Sequence, residues 1–271
     1  MPATPFNARP AGRFSRLCDR YAHQIPTSIH FLLNLLSRMH LSPPTASADD
    51  VFVIVPVFNE ASVLGEVLRA LLEAYPNVVV VDDCSHDDSG AIAASSGATV
   101  LRHIYNLGQG ASLQTGIDYA LRSDAQYIVT FDGDGQHRVE DIERLLQPLR
   151  AGTADVALGS RFLESTSNIP AQRRILLRAA VLFSRATSRL DVSDAHNGLR
   201  AFTHHAASRI HITMDRMAHA SQLLDQIGSA GLRFTEVAVT VRYTDYSLMK
   251  GQKNSQAAVI LRDYLIGRLV K

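Results

Sequence analysis

The sequence predicts an α/β fold, a mostly parallel central sheet with helices on both faces. Three observations carry that expectation. Short, near-continuous apolar runs recur along the chain, as in strands buried on both sides. Segments with helical spacing of apolar residues alternate with them. Polar clusters follow the runs directly, where ligands bind in parallel sheets.

The elements follow in order. Val51–Val57 is a buried strand bounded by Asp49-Asp50 and Asn59. A helix over 62–74 carries Val63, Leu64, Val67, Leu68, Leu71 and Leu72 and stops at Pro76-Asn77. A strand over 78–81 ends in Asp82-Asp83, and an Ala-rich helix over 87–96 ends at Gly97. Thr99–Arg102 is the third strand, followed by a helix over 109–121. The strand over 126–131 ends in Asp132, a helix covers 139–146, and a fifth strand covers 155–158.

Composition narrows the class. At 46% hydrophobic and 20% charged, the 271 residues are not a disordered chain, a collagen or a coiled coil. A net charge of +1 gives no basic excess of the kind that nucleic-acid binders carry. Two cysteines, Cys18 and Cys84, exclude a disulfide scaffold and suit a reducing cytosol. No run of about 18 apolar residues is present, so no segment is expected to span a bilayer.

Residues 1–48 stand apart, with five arginines and one acid. Ser42-Pro43-Pro44 begins a linker. Residues 29–39 have a broad apolar face, which fits either a helix docked on the main domain or one lying on a membrane surface. Asn34 and Arg38 argue against a secretory signal; the Arg-rich, acid-poor composition is closer to a transit peptide. Three segments are expected: a basic extension over 1–48, the α/β domain over 49–245, and a C-terminal loop and amphipathic tail over 246–271.

Several motifs are absent: the P-loop, the dinucleotide G-x-G-x-x-G, G-x-S-x-G and H-E-x-x-H. Asp132-Gly133-Asp134 with Glu143 mimics a calcium loop, but Gln136 and His137 break its pattern. Asp132 and Asp134 can converge on one hard cation, Mg²⁺ or Mn²⁺, that neutralises a diphosphate. Asp-Gly pairs also make plain acidic turns, and both readings stay open on these residues alone. Asp82-Asp83 can bind a base or ribose, while Ser85, Asp87 and Asp88 are also capping residues.

Taken together, Val55-Pro56-Val57-Phe58-Asn59-Glu60, Val81-Asp82-Asp83-Cys84-Ser85, the turn from Asn106 to Gly110, Asp132 to Gln136, and Gly159-Ser160-Arg161 occur in a telling order and spacing. The set resembles the family-2 glycosyltransferases of the GT-A fold. Asp194-Ala195-His196-Asn197-Gly198-Leu199-Arg200 matches the family's later D-x-x-x-G-[FL]-R element, and Glu236-Val237-Ala238-Val239 its late E-V-P-V strand. The resemblance covers about residues 50–245 and is closest to the dolichol-phosphate mannose synthase-like branch. It implies inverting transfer of a hexose from a nucleotide-diphosphate sugar, UDP- or GDP-linked, to a polyprenyl phosphate. It further implies a cytoplasmic enzyme, peripheral on the inner face of the membrane or held there by a membrane partner protein.

Carried across residue by residue, Pro56, Phe58, Glu60, Asp82, Asp83, Gln109 and Asp132 border the nucleotide-sugar. Asp132, Asp134 and Gln136 surround the divalent cation. Asp134, Arg161, Asp194 and Arg200 form the catalytic set. Arg173, Arg174 and Lys250 are candidates for the acceptor phosphate, the arginines on a helix after Pro170 that is equally readable as a solvated basic face. A sugar-hydroxyl acceptor in polysaccharide assembly would need a base, with Asp194 the candidate. A weakly active scaffold of the same fold is a third reading. Phe58 stands where many relatives have Tyr, Gln109 where Lys is frequent, and Gln222 where Glu is expected.

Overall fold

The computed structural model describes residues 47–163, 190–214 and 218–242. The extension over 1–46, the arginine helix after Pro170, Lys250 and the tail over 246–271 lie outside the described residues. Ser47 opens a 3-10 turn, Ala48–Asp50, through a capping box with Asp50.

Seven strands form one sheet. They are β1 (Val51–Val57), β2 (Asn77–Asp82), β3 (Thr99–Arg102), β4 (Tyr127–Thr130), β5 (Val156–Ser160), β6 (Arg200–Thr203) and β7 (Phe234–Ala238), in the order β3-β2-β1-β4-β6-β5-β7. All run parallel except β6, which is antiparallel to both neighbours. The helices are α1 (Ala61–Ala74), α2 (Ser89–Ser96), α3 (Gln109–Arg122), α4 (Glu140–Arg150), α5 (His204–Ala207) and α6 (Ala218–Ser229).

Strand alternation divides the core. Val51, Val53, Val55 and Val57 face Leu64, Leu68 and Leu71 of α1 and Ile142, Leu145 and Leu146 of α4. Ile54 faces the other way, toward Leu113 and Ile117 of α3 and Leu223, Leu224 and Ile227 of α6. The sheet is thus covered on both faces, as the continuous apolar runs predict. The approach of α3 is close: a Cβ on Gly116 would overlap Ile54 Cγ2 and stand 3.3 Å from Val81 Cγ2.

Three features differ from expectation. The helix read over 139–146 runs on to Arg150 with Pro148 inside its last turn, where the proline has no N–H to donate to the Arg144 carbonyl. Strand β6 and helices α5 and α6 have no counterpart in the element reading: β6 and α5 are four residues long each, and α6 keeps Ala220, Leu223, Leu224 and Ile227 at helical spacing but buries polar His219, Ser221 and Gln222 with them. The helix read over 87–96 begins at Ser89, because Asp87 stands before it and accepts from both Ser89 N–H and Ala61 N–H.

Asp87 helps to close the front of α1. Three backbone N–H groups there donate to side chains of the β2–α2 loop: Asn59 to Ser85 Oγ at 3.0 Å, Glu60 to Ser89 Oγ at 2.8 Å and Ala61 to Asp87 Oδ2 at 3.1 Å. Asn59 returns the bond, its Oδ1 accepting from His86 N–H at 2.8 Å. The capping role expected of Ser85 and Asp87 is real and serves two helices: both close the front of α1, and Asp87 Oδ1 also accepts from Ser89 N–H at 3.0 Å at the start of α2.

Candidate active site

The carboxyl ends of β1, β2, β4 and β5 lie along one edge of the sheet. Because β6 is antiparallel, its first residue, Arg200, pairs with Thr130 at the end of β4. The loop leading into β6 therefore meets the acidic turn that leaves β4. Thr130 Oγ1 donates to the Gly198 carbonyl at 2.7 Å. Gly198 packs directly on Asp132: a Cβ there would overlap Oδ2 and stand 2.5 Å from Cγ.

Asp132 is the hub. Gln109 Nε2 donates to its Oδ1 at 3.0 Å, and His137 Nε2 lies 3.2 Å from its Oδ2. Burial pushes this carboxyl up, but the His137 hydrogen bond and the charges of His137, Arg200 and His219 hold it below the usual carboxylate range. Asp134 goes the other way, to about 6, through burial first, then the charges of Asp132 and Glu60. Its Oδ1 accepts from Gln136 N–H at 3.1 Å. Two crowded carboxylates, one of them held partly protonated, make a donor set that a divalent cation suits, since its charge relieves the repulsion. Among the described residues no group of three or more His, Cys, Asp or Glu side chains forms a metal site by itself.

Beside this turn lies a buried basic pair. Arg161 Nε donates to Asp194 Oδ2 at 2.6 Å, and Arg161 N–H to the same oxygen at 3.2 Å. The Asp194 side chain is 1% exposed. Arg200 is buried, which lowers its guanidinium to about 10 against the opposing pull of Asp132 and Asp194, so it stays charged at neutral pH. Burial and the nearby Arg200 push His196 down to about 4, which keeps that ring neutral.

Glu236 on β7 fixes the pair from behind. Its Oε1 accepts from Ser193 N–H at 2.8 Å, Ser193 Oγ at 2.9 Å and Asp194 N–H at 3.2 Å. Ser193 Oγ also lies 2.6 Å from Ser160 Oγ, one residue before Arg161. No role is visible for Glu236 in the sequence beyond its match to a late strand motif. His137, which follows the acidic motif directly in the sequence, sits beside Asp132, whereas His219 acquires its place there only in the fold.

The other expected residues are placed as follows. Pro56 is half-buried within β1. Phe58 is 38% exposed, with its ring edge-to-face with His86. Asp82 and Asp83 are buried and turned to protein donors. Asp82 Oδ1 accepts from Ser85 N–H at 2.9 Å, and its Oδ2 lies 3.2 Å from Arg102 Nε. Asp83 accepts from Leu107 N–H at 2.8 Å and Gly108 N–H at 2.7 Å, with His103 Nδ1 at 2.7 Å. It thereby closes the front of α3, which carries Gln109. Gln222 brackets the backbone of Thr213 and Met214, its Oε1 accepting at 2.9 and 2.8 Å. The structure thus brings Gln109, Asp132, Asp134, Arg161, Asp194 and Arg200 to one edge. Arg173, Arg174 and Lys250 are outside the described residues.

Comparison with known proteins agrees with this architecture. The family model described as glycosyl transferase family 2 matches residues 52–212. An uncharacterised protein of Methanocaldococcus jannaschii is 38% identical over 81% of this chain and 92% of its own. A polyprenol monophosphomannose synthase of Mycolicibacterium smegmatis is 30% identical over 72% of this chain and 78% of its own. Among solved structures, the Mycobacterium tuberculosis glucosyl-3-phosphoglycerate synthase in complex with Mn²⁺ and UDP-glucose superposes with a TM-score of 0.62 at 16% identity, over 80% of this chain and 78% of that one. That likeness is one of fold, and the sheet order and its acidic edge are those of a GT-A-like domain. Sequence, sheet and family model converge, and the chain belongs to glycosyl transferase family 2.

Proposed function

We propose that this chain is an inverting glycosyltransferase that moves a hexose from a nucleotide-diphosphate sugar to a polyprenyl phosphate, with Mg²⁺ or Mn²⁺ held by Asp132 and Asp134. One observation carries the choice of acceptor. Asp194, the candidate base for a hydroxyl acceptor, is 1% exposed and bonded to Arg161 Nε at 2.6 Å. A carboxylate so engaged is poorly placed to take a proton. A phosphate acceptor needs no base, because a phosphate monoester is already largely ionised at neutral pH, its second pKa near 6. A relative of known type, the mycobacterial polyprenol monophosphomannose synthase, supports the same class.

In this reading an acceptor phosphate oxygen bonds to the anomeric carbon from the face opposite the leaving group. The bond from that carbon to the diphosphate oxygen breaks, its electron pair leaves with the nucleoside diphosphate, and the configuration inverts. No proton has to move. The chain orients two anions and screens their repulsion. Arg200 and Arg161 supply fixed positive charge at the edge, and His137 and Gln109 hold Asp132 in one orientation. The cation, when bound, neutralises the charge that develops on the diphosphate. Among the described residues no helix is long and apolar enough to cross a membrane. We place the enzyme peripherally on the cytoplasmic face, where nucleotide-sugars are made and lipid phosphates are reached.

The test is a transfer assay with labelled UDP- and GDP-sugars, Mn²⁺ or Mg²⁺, and polyprenyl phosphate. Label should enter the lipid phase, and Asp134→Asn should abolish it while melting cooperatively, and no lower than the wild type, at pH 7. Label passing instead to a sugar hydroxyl would overturn the acceptor; full turnover in Asp134→Asn would overturn the cation site.

A further inference from the structure

Five large hydrophobic side chains are exposed among the described residues: Phe58 at 38%, Ile104 at 87%, Tyr105 at 66%, Leu107 at 44% and Leu163 at 49%. All five follow the carboxyl ends of β1, β3 and β5. None lies at the opposite end of the sheet or on the outer face of a helix. Scattered exposed hydrophobics need no explanation, but a set confined to one edge does. Three of the five, including the two most exposed, sit in the single loop between β3 and α3.

That loop is held firmly. His103 N–H donates to the Asp82 carbonyl at 2.9 Å, and Leu107 and Gly108 N–H donate to the Asp83 carboxylate at 2.8 and 2.7 Å. Asn106 Nδ2 donates to the Asp83 carbonyl at 3.3 Å, and Cys84 Sγ lies 3.4 Å from the Ile104 carbonyl. A loop whose polar groups are satisfied inward loses less on leaving water. The loop carries no acid of its own: residues 89–117 contain Arg102 and His103 but no Asp or Glu, and the buried Asp82 and Asp83 beneath it are engaged by those two side chains and by the loop's own N–H groups. An apolar tip with a tyrosine, flanked by the exposed Arg102 and with its acids buried, matches a lipid surface.

We propose that the β3–α3 loop is where the enzyme rests on a lipid bilayer, with Ile104 and Tyr105 entering the headgroup region. This rests on the lipid-phosphate reading above and adds a location to it. The loop shares its edge with Asp132 and Arg161, so an acceptor phosphate at the bilayer surface is presented to the reacting centre while its chain stays in lipid. A second copy of the chain seated on the same loop would crowd the edge that donor and acceptor must enter.

The full chain and its Ile104→Ser/Tyr105→Ser variant are floated with phosphatidylcholine–phosphatidylglycerol vesicles. Both side chains are exposed, so the melting temperature should not change. The variant should bind vesicles about tenfold more weakly or worse, the scale set by losing one buried side chain. Its kcat/KM for polyprenyl phosphate in vesicles should fall by the same factor, and that for a short, water-soluble prenyl phosphate should hold. Equal vesicle binding by both proteins, or none by the wild type, overturns the docking surface. So does self-association of the wild type that the variant loses, which would make the loop a contact between copies. If the wild type floats, the variant does not, and neither uses any prenyl phosphate, the acceptor reading fails and the docking surface stands.

Discussion

Asp132 depends on its neighbours for position. Gly198 leaves no room for a methyl group beside it. Gly198→Ala should therefore displace the carboxylate and reduce kcat about a hundredfold, the scale of a misplacement near 1 Å, with KM for donor changed less. Steady-state kinetics with Mn²⁺ would measure it. Glu236 acts at one remove, through Ser193 and Asp194. Glu236→Ala should lower kcat about tenfold or more, and Glu236→Gln, which keeps one acceptor oxygen, should recover most of it. Equal losses in the two variants would mean that the carboxylate does more than hold the loop.

The acidic turn was legible in the sequence because Asp132, Asp134 and Gln136 are local, placed by one strand end. Glu236 was not: its partner Ser193 is 43 residues away, and only the sheet order joins them. The same holds for Asp83, whose carboxylate is spent on N–H groups 24 and 25 residues downstream. A spacing argument sees an acid at a strand end and cannot see which donors reach it first.

Among the elements, strands β1, β2, β4 and β5 were readable because burial on both faces writes itself as an unbroken apolar run. Strand β6 was not, since Arg200 and Thr203 bound two apolar residues and nothing local marks it as a strand. Its antiparallel sense is the feature that delivers Arg200 to the site. Helix α3 was predicted well, yet its closeness to the sheet rests on one residue, Gly116. Gly116→Ala gains helix propensity and loses more to overlap with Ile54, so it should destabilise the protein by about 1–3 kcal/mol. Denaturant unfolding would show it as a lower midpoint at unchanged slope.

Over the whole molecule, two buried groups pull stability in opposite directions as the solution is acidified. His196 has its proton affinity lowered to about 4 in the fold. Between its ordinary 6.5 and 4, the unfolded chain takes a proton that the folded one refuses, so stability is lost as pH falls. Asp134 is raised to about 6 from 3.8. Between those values the folded chain keeps a proton that the unfolded one has released, so stability is gained as pH falls. Each shift is worth at most about 3 kcal/mol. The wild type should therefore change little between pH 6 and 4 from this pair. Asp134→Asn removes the gain and should melt progressively lower across that window, and adding His196→Asn should flatten it again. Thermal melts at pH 7, 6, 5 and 4 without divalent cation would check all three proteins.

The bond between Arg161 and Asp194 joins residues 33 apart, and Ser160 and Ser193 meet just beside it. Residues 160–161 and 193–194 are thereby fastened to each other at the sheet edge. Lengthening the stretch between them is inexpensive, since closure entropy grows only with the logarithm of its length, about 0.6 kcal/mol per doubling. Evolution can therefore insert or remove residues between the fastened ends without moving β5, β6 or the acidic turn.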